Sequence, residues 1–270
     1  MKFIDLHTHV LPGVDDGAKD YTEAVAMLRE ARVGGIRGLV ATPHFRYKDD
    51  WLSFVASAQE VFQQLTKEAQ DQGLDLALQL GFEVELDSGL LTISDFSPLT
   101  IGGRGAYLLL ELPSHQVPPC FEEVVFQVMV KGVVPIIAHP ERSIALCQRP
   151  PLLYRLVEQG VLLQVNSGSL LGVFGEEVQL RTWSLLEARL VHFIASDMHH
   201  AKGHRGSNLP QVQRVLEEHL PGDYCTMLLS THPAAAMEGV QIRIPDPLPG
   251  FGEKPGWWQR FWRRFPMGRR

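Results

Sequence analysis

Cysteine is scarce in this chain of 270 residues: Cys120, Cys147 and Cys225 are an odd number, with no C-x-x-C spacing among them. A disulfide framework and a thiolate zinc cluster are thereby excluded, and a reducing, cytoplasmic setting is expected. No apolar run is long enough to span a bilayer. The N-terminus lacks a basic segment followed by an apolar stretch, so no secretory leader is expected. Net positive charge is missing too: the formal charge is -6, which argues against nucleic-acid binding. Internal repeats and low-complexity tracts are absent before residue 245. What is present is ordinary: 45% apolar and 21% charged residues leave room for a sizeable core, in one large domain or two small ones.

Short apolar runs alternate with helical patterns along the chain. Strands are expected near Phe3–Leu6, Gly38–Thr42, Leu76–Glu83, Ala106–Leu110, Val134–Ala138, Leu162–Val165 and His192–Ser196. Helices are expected over Tyr21–Val33, Trp51–Gln72, Phe121–Lys131, Leu152–Gln159, Glu176–Ala188, Leu209–Leu220 and Asp223–Leu229. Apolar strands separated by helices indicate parallel β/α architecture. Only the connection from the third strand to the fourth lacks a helix; it carries the turn-rich Asp95-Phe96-Ser97-Pro98 and Gly102-Gly103.

The strand ends carry the chemistry. Asp5, His7 and His9 close the first strand, where alternation would point all three the same way. His44 follows the second strand, Glu83 ends the third, Glu111 the fourth, His139 the fifth and Asn166 the sixth; Asp197 and His199 end the seventh. Any one of these would pass as a cap or a solvated strand end. Delivered in register by every strand, they call for a shared site. A barrel gathers its carboxyl ends in one mouth, whereas an open sheet spreads them along a line. The fold expected is therefore α/β, a distorted seven-stranded (β/α) barrel related to the TIM barrel.

Histidines mixed with carboxylates suit a hydrolytic centre of Mn, Fe or Zn better than a structural zinc site. The ligands outnumber the needs of one ion, so two or three divalent ions are expected, clamping a phosphate for in-line attack by a bridging hydroxide. In Val14-Asp15-Asp16-Gly17, one aspartate is expected to cap the helix near Tyr21 and the other, Asp16, to bind metal. Arg142 and Arg205 follow the metal-type histidines and are placed to grip phosphate oxygens. A cysteine phosphatase needs an arginine six residues after its nucleophile; those positions hold Phe126, Leu153 and Thr231, so none of the cysteines qualifies.

Asp5-Leu6-His7-Thr8-His9, Thr42-Pro43-His44, Glu83, Ala138-His139-Pro140-Glu141-Arg142 and Ser196-Asp197-Met198-His199 resemble the motifs of the polymerase-and-histidinol-phosphatase (PHP) superfamily. More narrowly, Val14-Asp15-Asp16-Gly17-Ala18 and Ile137-Ala138-His139-Pro140-Glu141-Arg142 resemble the bacterial tyrosine phosphatases of capsule and exopolysaccharide clusters, the CpsB/CapC/YwqE type. Thr231-His232-Pro233-Ala234-Ala235 is similar to their closing Asn-Pro-x-x segment, with His232 in place of the asparagine. The resemblance implies a manganese-type centre of three ions and phosphotyrosine hydrolysis. By the family pattern, His7, His9, Glu83 and Asp197 hold one ion, Glu83 bridges to a second held by Glu111 and His139, and Asp16, His44 and His199 hold the third. Arg142, Arg205 and Asp197 form the catalytic group, and Asp5 orients a ligand. The implied substrate is the tyrosine-rich tail of a membrane-bound tyrosine kinase. The alternatives are a small-molecule phosphatase, acting for example on histidinol phosphate, and a non-catalytic metal-binding scaffold.

Residues 1–244 are expected to form the phosphatase domain, and 245–270 a Pro/Gly linker with a basic aromatic tail. The last 20 residues hold six basic side chains against one acid, +5, leaving -11 for the remainder. If 257–265 is helical, Trp258, Phe261, Trp262 and Phe265 share one face and Arg260, Arg263 and Arg264 the other. That pattern suits peripheral contact with the inner face of a membrane. The competing reading packs it on its own barrel or on a second copy, as a homo-oligomer.

Overall fold

The structure is a computed structural model that describes residues 2–203 and 205–242. The domain boundary expected at 244/245 and the membrane contact expected for 257–265 lie outside the described residues. The strands are β1 (Phe3–Thr8), β2 (Ile36–Ala41), β3 (His44–Phe45), β4 (Ala77–Leu80), β5 (Glu83–Glu85), β6 (Tyr107–Glu111), β7 (Val134–Ala138), β8 (Leu162–Asn166) and β9 (Phe193–Ala195). Every ladder is parallel. One sheet runs β1-β2-β4 and the other β3-β5-β6-β7-β8-β9.

The expected strand Leu76–Glu83 is divided, and the one expected over Gly38–Thr42 is followed by a further short strand. Pro43 has no N–H to give the ladder, and Gly81 breaks the third run, so β2 passes into β3 and β4 into β5 with a change of sheet. The halves stay in step through Gly81 N to Ala41 O (2.9 Å) and Glu83 N to Pro43 O (3.2 Å). At the far side β1 meets the chain just after β9: His9 N donates to Met198 O and Asp197 N to His7 O, both at 2.9 Å. The fold is thus mixed α/β with parallel sheets.

The helices are α1 (Tyr21–Val33), α2 (Trp51–Asp71), α3 (Phe121–Val130), α4 (Ile144–Cys147), α5 (Pro150–Glu158), α6 (Ser167–Leu170), α7 (Glu176–Glu187), α8 (Leu209–Glu217), α9 (Gly222–Thr226) and α10 (His232–Glu238). Asp20, not Asp15 or Asp16, caps α1, accepting from Glu23 N at 2.9 Å. The helix expected over Asp223–Leu229 is instead α9, one wide turn over Met227–Thr231, and α10. Three short 3₁₀ segments lie in the connection from β5 to β6, where no helix was expected. No helix among the described residues is long and apolar enough to cross a membrane.

Continuous apolar runs such as Leu108-Leu109-Leu110 are buried on both faces, as parallel strands require. Leu108, Leu110, Ile137, Leu163 and Ile194 face the helices. Leu109, Ile136, Leu162 and Phe193 turn the other way and pack with Leu6, Val40 and, from α10, Ala236 and Met237. With the strand faces mostly apolar, most polar side chains fall at strand ends; Asp5 in β1 and Gln164 in β8 are buried exceptions.

Candidate metal centre

β1 supplies the first residues of the site, and it does not keep strict alternation. Asp5 pairs with Leu39 but Thr8 with Ala41, so three steps on β1 match two on β2. This bulge re-aims the side chains beyond it. The carboxyl of Asp5 meets main-chain amides, one of them that of the ligand candidate His7. It accepts from Ser196 N (3.0 Å) and His7 N (3.5 Å), tying β1 to the end of β9. Its burial pushes it up to about 6.

The other expected residues come together around Glu83. Its Oε2 lies 3.1 Å from His7 Nε2, 3.3 Å from His9 Nε2 and 3.1 Å from His44 Nδ1, while Oε1 lies 2.7 Å from His139 Nε2. On one side Asp197 Oδ1 sits 3.3 Å from His9 Nε2. On the other, Glu111 Oε2 is 3.5 Å from His44 Nδ1. At the rim Asp16 Oδ1 reaches His199 Nε2 (3.3 Å) and His44 Nε2 (3.6 Å). The ligand atoms fall into four groups that could each hold a cation: His7/His9/Asp197, His7/Glu83/His139, His44/Glu83/Glu111 and His9/Asp16/His44/His199. His44 thus stands between two of the expected sets.

Two positions need a costly backbone. His139 has φ 30° and Asp197 φ 52°, the left-handed region that non-glycine residues seldom adopt. Each sits at the first turn after its strand, where continuing in β geometry would carry the side chain past the mouth. Gly17 has another reason: a Cβ there would lie 2.0 Å from His9 O. That close approach brings Asp15 and Asp16 over the histidines.

The electrostatics fit a cation. Burial alone would lower His7, but Glu83 and Asp197 push it up to about 9. His9 is raised in the same way by Asp15, Asp197 and Glu83. Glu83 and Asp197 are held well below the carboxylate range by those histidines, against the burial that would raise them. His7 Nε2 and His9 Nε2 face each other at 3.2 Å. Two imidazole lone pairs at that distance repel unless a proton or a cation lies between them. A hard or borderline divalent ion meets this set of imidazole nitrogens and carboxylate oxygens well.

Both predicted arginines arrive. Arg142 Nη1 lies 3.2 Å and Arg205 Nη2 3.4 Å from Asp197, and Arg142 rests 4.7 Å over the Phe174 ring. Arg205 Nη2 also lies 2.8 Å from His199 Nε2. Of three supporting residues only Gln164 escaped the sequence reading; Asp15 was expected as a helix cap and Asn166 as a strand end without a partner. Asp15 Oδ2 takes His9 Nδ1 (2.7 Å) and His44 N (3.1 Å), while its Oδ1 accepts from Gly17 N. Gln164 meets His7 Nδ1, and Asn166 meets Asp197. Cys147 is buried, donates to Pro140 O and is pushed up to about 12, so it is no nucleophile.

Comparison with known proteins gives these residues a family. A tyrosine-protein phosphatase, YwqE of Bacillus subtilis, is 36% identical over 228 residues, 83% of this chain and 88% of its own length. The tyrosine-protein phosphatase CpsB of Streptococcus pneumoniae is 31% identical over 201 residues, 73% of this chain and 82% of its own. A crystal structure from work on those two proteins, described as metal-dependent tyrosine phosphatases, matches with TM-score 0.82 at 33% identity, covering 92% of this chain and 99% of that one. Residues 3–238 match the family model for capsular polysaccharide synthesis proteins CpsB/CapC, and the chain belongs to that family.

Proposed function

We propose that this chain is a metal-dependent protein-tyrosine phosphatase that holds two or three divalent ions, manganese foremost, with iron or zinc as alternatives. The observation that carries the reading is the convergence of four histidines on the Glu83 carboxylate beside two arginines. In this assignment His7, His9, Glu83 and Asp197 hold one ion, Glu83, Glu111 and His139 a second, and Asp16, His44 and His199 a third. Bound ions of this kind supply Lewis acidity toward a phosphoryl oxygen and a nucleophile from water at neutral pH.

The chain's own groups do the rest. Arg142 and Arg205 sit on adjacent sides of Asp197, and each can turn its guanidinium fork to phosphate oxygens. Phe174 holds Arg142 flat for that task. A cavity of about 800 Å³ opens beside Asp16 and His44, walled by Trp51 and Phe54 with Arg46 and Lys48 at its edge. Its aromatic wall and its size favour a tyrosyl side chain on a polypeptide over a small phosphate ester. The capsule-synthesis family favours a tyrosine kinase as that polypeptide. We also read the two sheets as one distorted seven-stranded barrel, supported by the passages β2–β3 and β4–β5 and by the Thr8–Met198 bridge.

The test compares a phosphotyrosyl peptide, a phosphoseryl peptide and histidinol phosphate as substrates with added Mn²⁺. Hydrolysis of the first should dominate, vanish with EDTA and survive thiol alkylation. A preference for histidinol phosphate would overturn the substrate, and activity that outlasts metal removal but not alkylation would overturn the mechanism.

A further inference from the structure

Two amide side chains link two of the buried ligand candidates. His7 Nδ1 lies 2.9 Å from Gln164 Oε1, Gln164 Nε2 lies 2.9 Å from Asn166 Oδ1, and Asn166 Nδ2 lies 2.7 Å from Asp197 Oδ2. All four residues are at most 3% exposed, so no water competes for these bonds. Gln164 and Asn166 alternate along β8 and therefore share one face, the face of Leu162.

The direction of this relay is set by its ends and does not depend on placing hydrogens. Asp197 lies between two guanidinium groups, Arg142 Nη1 at 3.2 Å and Arg205 Nη2 at 3.4 Å, and a carboxylate paired with arginine only accepts. Asn166 must therefore present its NH₂ to Asp197, which turns its carbonyl oxygen to Gln164. Gln164 must then present its own NH₂ to Asn166, which turns its carbonyl oxygen to His7. A carbonyl oxygen accepts, so Nδ1 of His7 carries the proton. When the ring is neutral its lone pair is then on Nε2, the nitrogen 3.1 Å from Glu83 and 3.2 Å from His9 Nε2. At the other end, Oδ2 of Asp197 is occupied and Oδ1 is left facing His9.

We propose that Gln164 and Asn166 are positioning residues that carry the charge of Asp197 through two amides to fix the tautomer of His7, so that both present their free atoms to the same cation. The proposal rests on the metal reading of this site. It assigns a role to two residues that neither bind metal nor touch substrate. Without the relay, His7 could place its proton on Nε2 and donate it to Glu83, which removes the ligand.

Metal affinity tests this without reference to turnover. Mn²⁺ dissociation constants are measured by competition with a fluorescent chelator for the wild type, Gln164→Met, Asn166→Leu and the double variant, each first checked for fold by circular dichroism. Both single substitutions keep roughly the length of the side chain and remove the relay. Each is expected to weaken Mn²⁺ binding by about 10–100-fold. The double variant is expected to lose no more than the worse single one, because the relay acts as a unit. Ser184→Ala, which loses a buried bond to Leu180 O within α7, serves as the control and should leave affinity unchanged. If one variant fails to fold, the other carries the same test. Affinity within twofold of wild type in a folded variant, or losses that add in the double variant, would overturn the relay. A wild type that binds no divalent metal would instead overturn the proposed function.

Discussion

The centre has a deep half and a rim. His7, His9, Glu83, His139, Asp197 and His199 have side chains at most 7% exposed, whereas Asp16, His44 and Glu111 are 63%, 34% and 27% exposed. The halves also differ in support. In the deep half Gln164 meets His7, Asp15 meets His9 and Asn166 meets Asp197. At the rim Glu111 is, among the described residues, in ion-pair range of His44 and His139 only. A ligand fixed by packing and hydrogen bonds loses little freedom when it binds an ion, while a solvated one loses more. Under the proposed function the deep half retains a cation, and the rim exchanges ligands with solvent and admits a phosphate.

Glu83 is the seam between the halves, because its carboxylate meets the deep histidines His7, His9 and His139 and also His44 at the rim. Glu83→Gln should give the largest effect. The amide keeps the shape but removes the charge that two cations would share. Metal catalysis contributes several kcal/mol, so kcat is expected to fall about 10³-fold or more. Mn²⁺ content per chain, read by elemental analysis after dialysis, should drop together with kcat. Full metal content in an inactive Gln variant would show that the seam does not join the two halves.

The next effect belongs to the arginines above the deep half. Arg142→Lys keeps the charge and loses the planar fork and its stacking on Phe174. We expect kcat/KM for a phosphotyrosyl peptide to fall about 10²-fold with metal content unchanged. A parallel loss of metal would mean that Arg142 supports Asp197 and does not grip phosphate.

The ligand candidates were legible in the sequence because strand ends are. A parallel strand that is apolar on both faces seldom carries a polar residue in its middle, so His44, Glu83, His139 and Asp197 stood out at strand boundaries, His44 and Glu83 as the first residues of β3 and β5. The bulge in β1 left no such mark, and neither did the bonds of Asp5 to the main-chain amides of His7 and Ser196. Gln164 was hidden inside an apolar run, where a lone amide looks like an ordinary half-buried position. Asn166 was seen at its strand end but not given its partner, since pairing across 31 residues has no spacing rule. The breaks at Pro43 and Gly81 were readable in principle from the missing N–H and the glycine. The wide turn before α10 was not, because Leu228 and Leu229 keep a helical pattern through it.

Metal dependence should separate the halves directly. Asp16→Asn and Glu111→Gln remove rim groups, so Mn²⁺ affinity should drop about 10–100-fold and activity should return at higher Mn²⁺. Asp197→Asn removes a deep group and also reverses the acceptor end of the amide relay. Its activity should stay low at any Mn²⁺ concentration. Titrating activity against Mn²⁺ for the three variants checks this, and equal rescue of all of them would erase the distinction between deep half and rim.

The smallest effect is one of stability, and it comes from the deep half. In chelator-treated protein, burial opposes the charge on His7, but Glu83 and Asp197 push it up from 6.5 to about 9. A histidine whose pKa is raised by folding stabilises the fold fully below pH 6.5 and loses that contribution as pH climbs through 9. His9 is raised in the same direction. The melting temperature of the metal-free protein should therefore decline across this window by a few degrees, at about 2–4 °C per kcal/mol. Metal reverses the trend, because ligation needs neutral imidazoles and releases their protons. The rise in melting temperature caused by Mn²⁺ should accordingly grow from pH 6.5 to 9. His7→Asn should flatten both curves, since it removes the group that exchanges a proton for the ion. An increment that shrinks with pH would mean that the buried histidines are not where the cation sits, and the deep half would then be only a network of salt bridges.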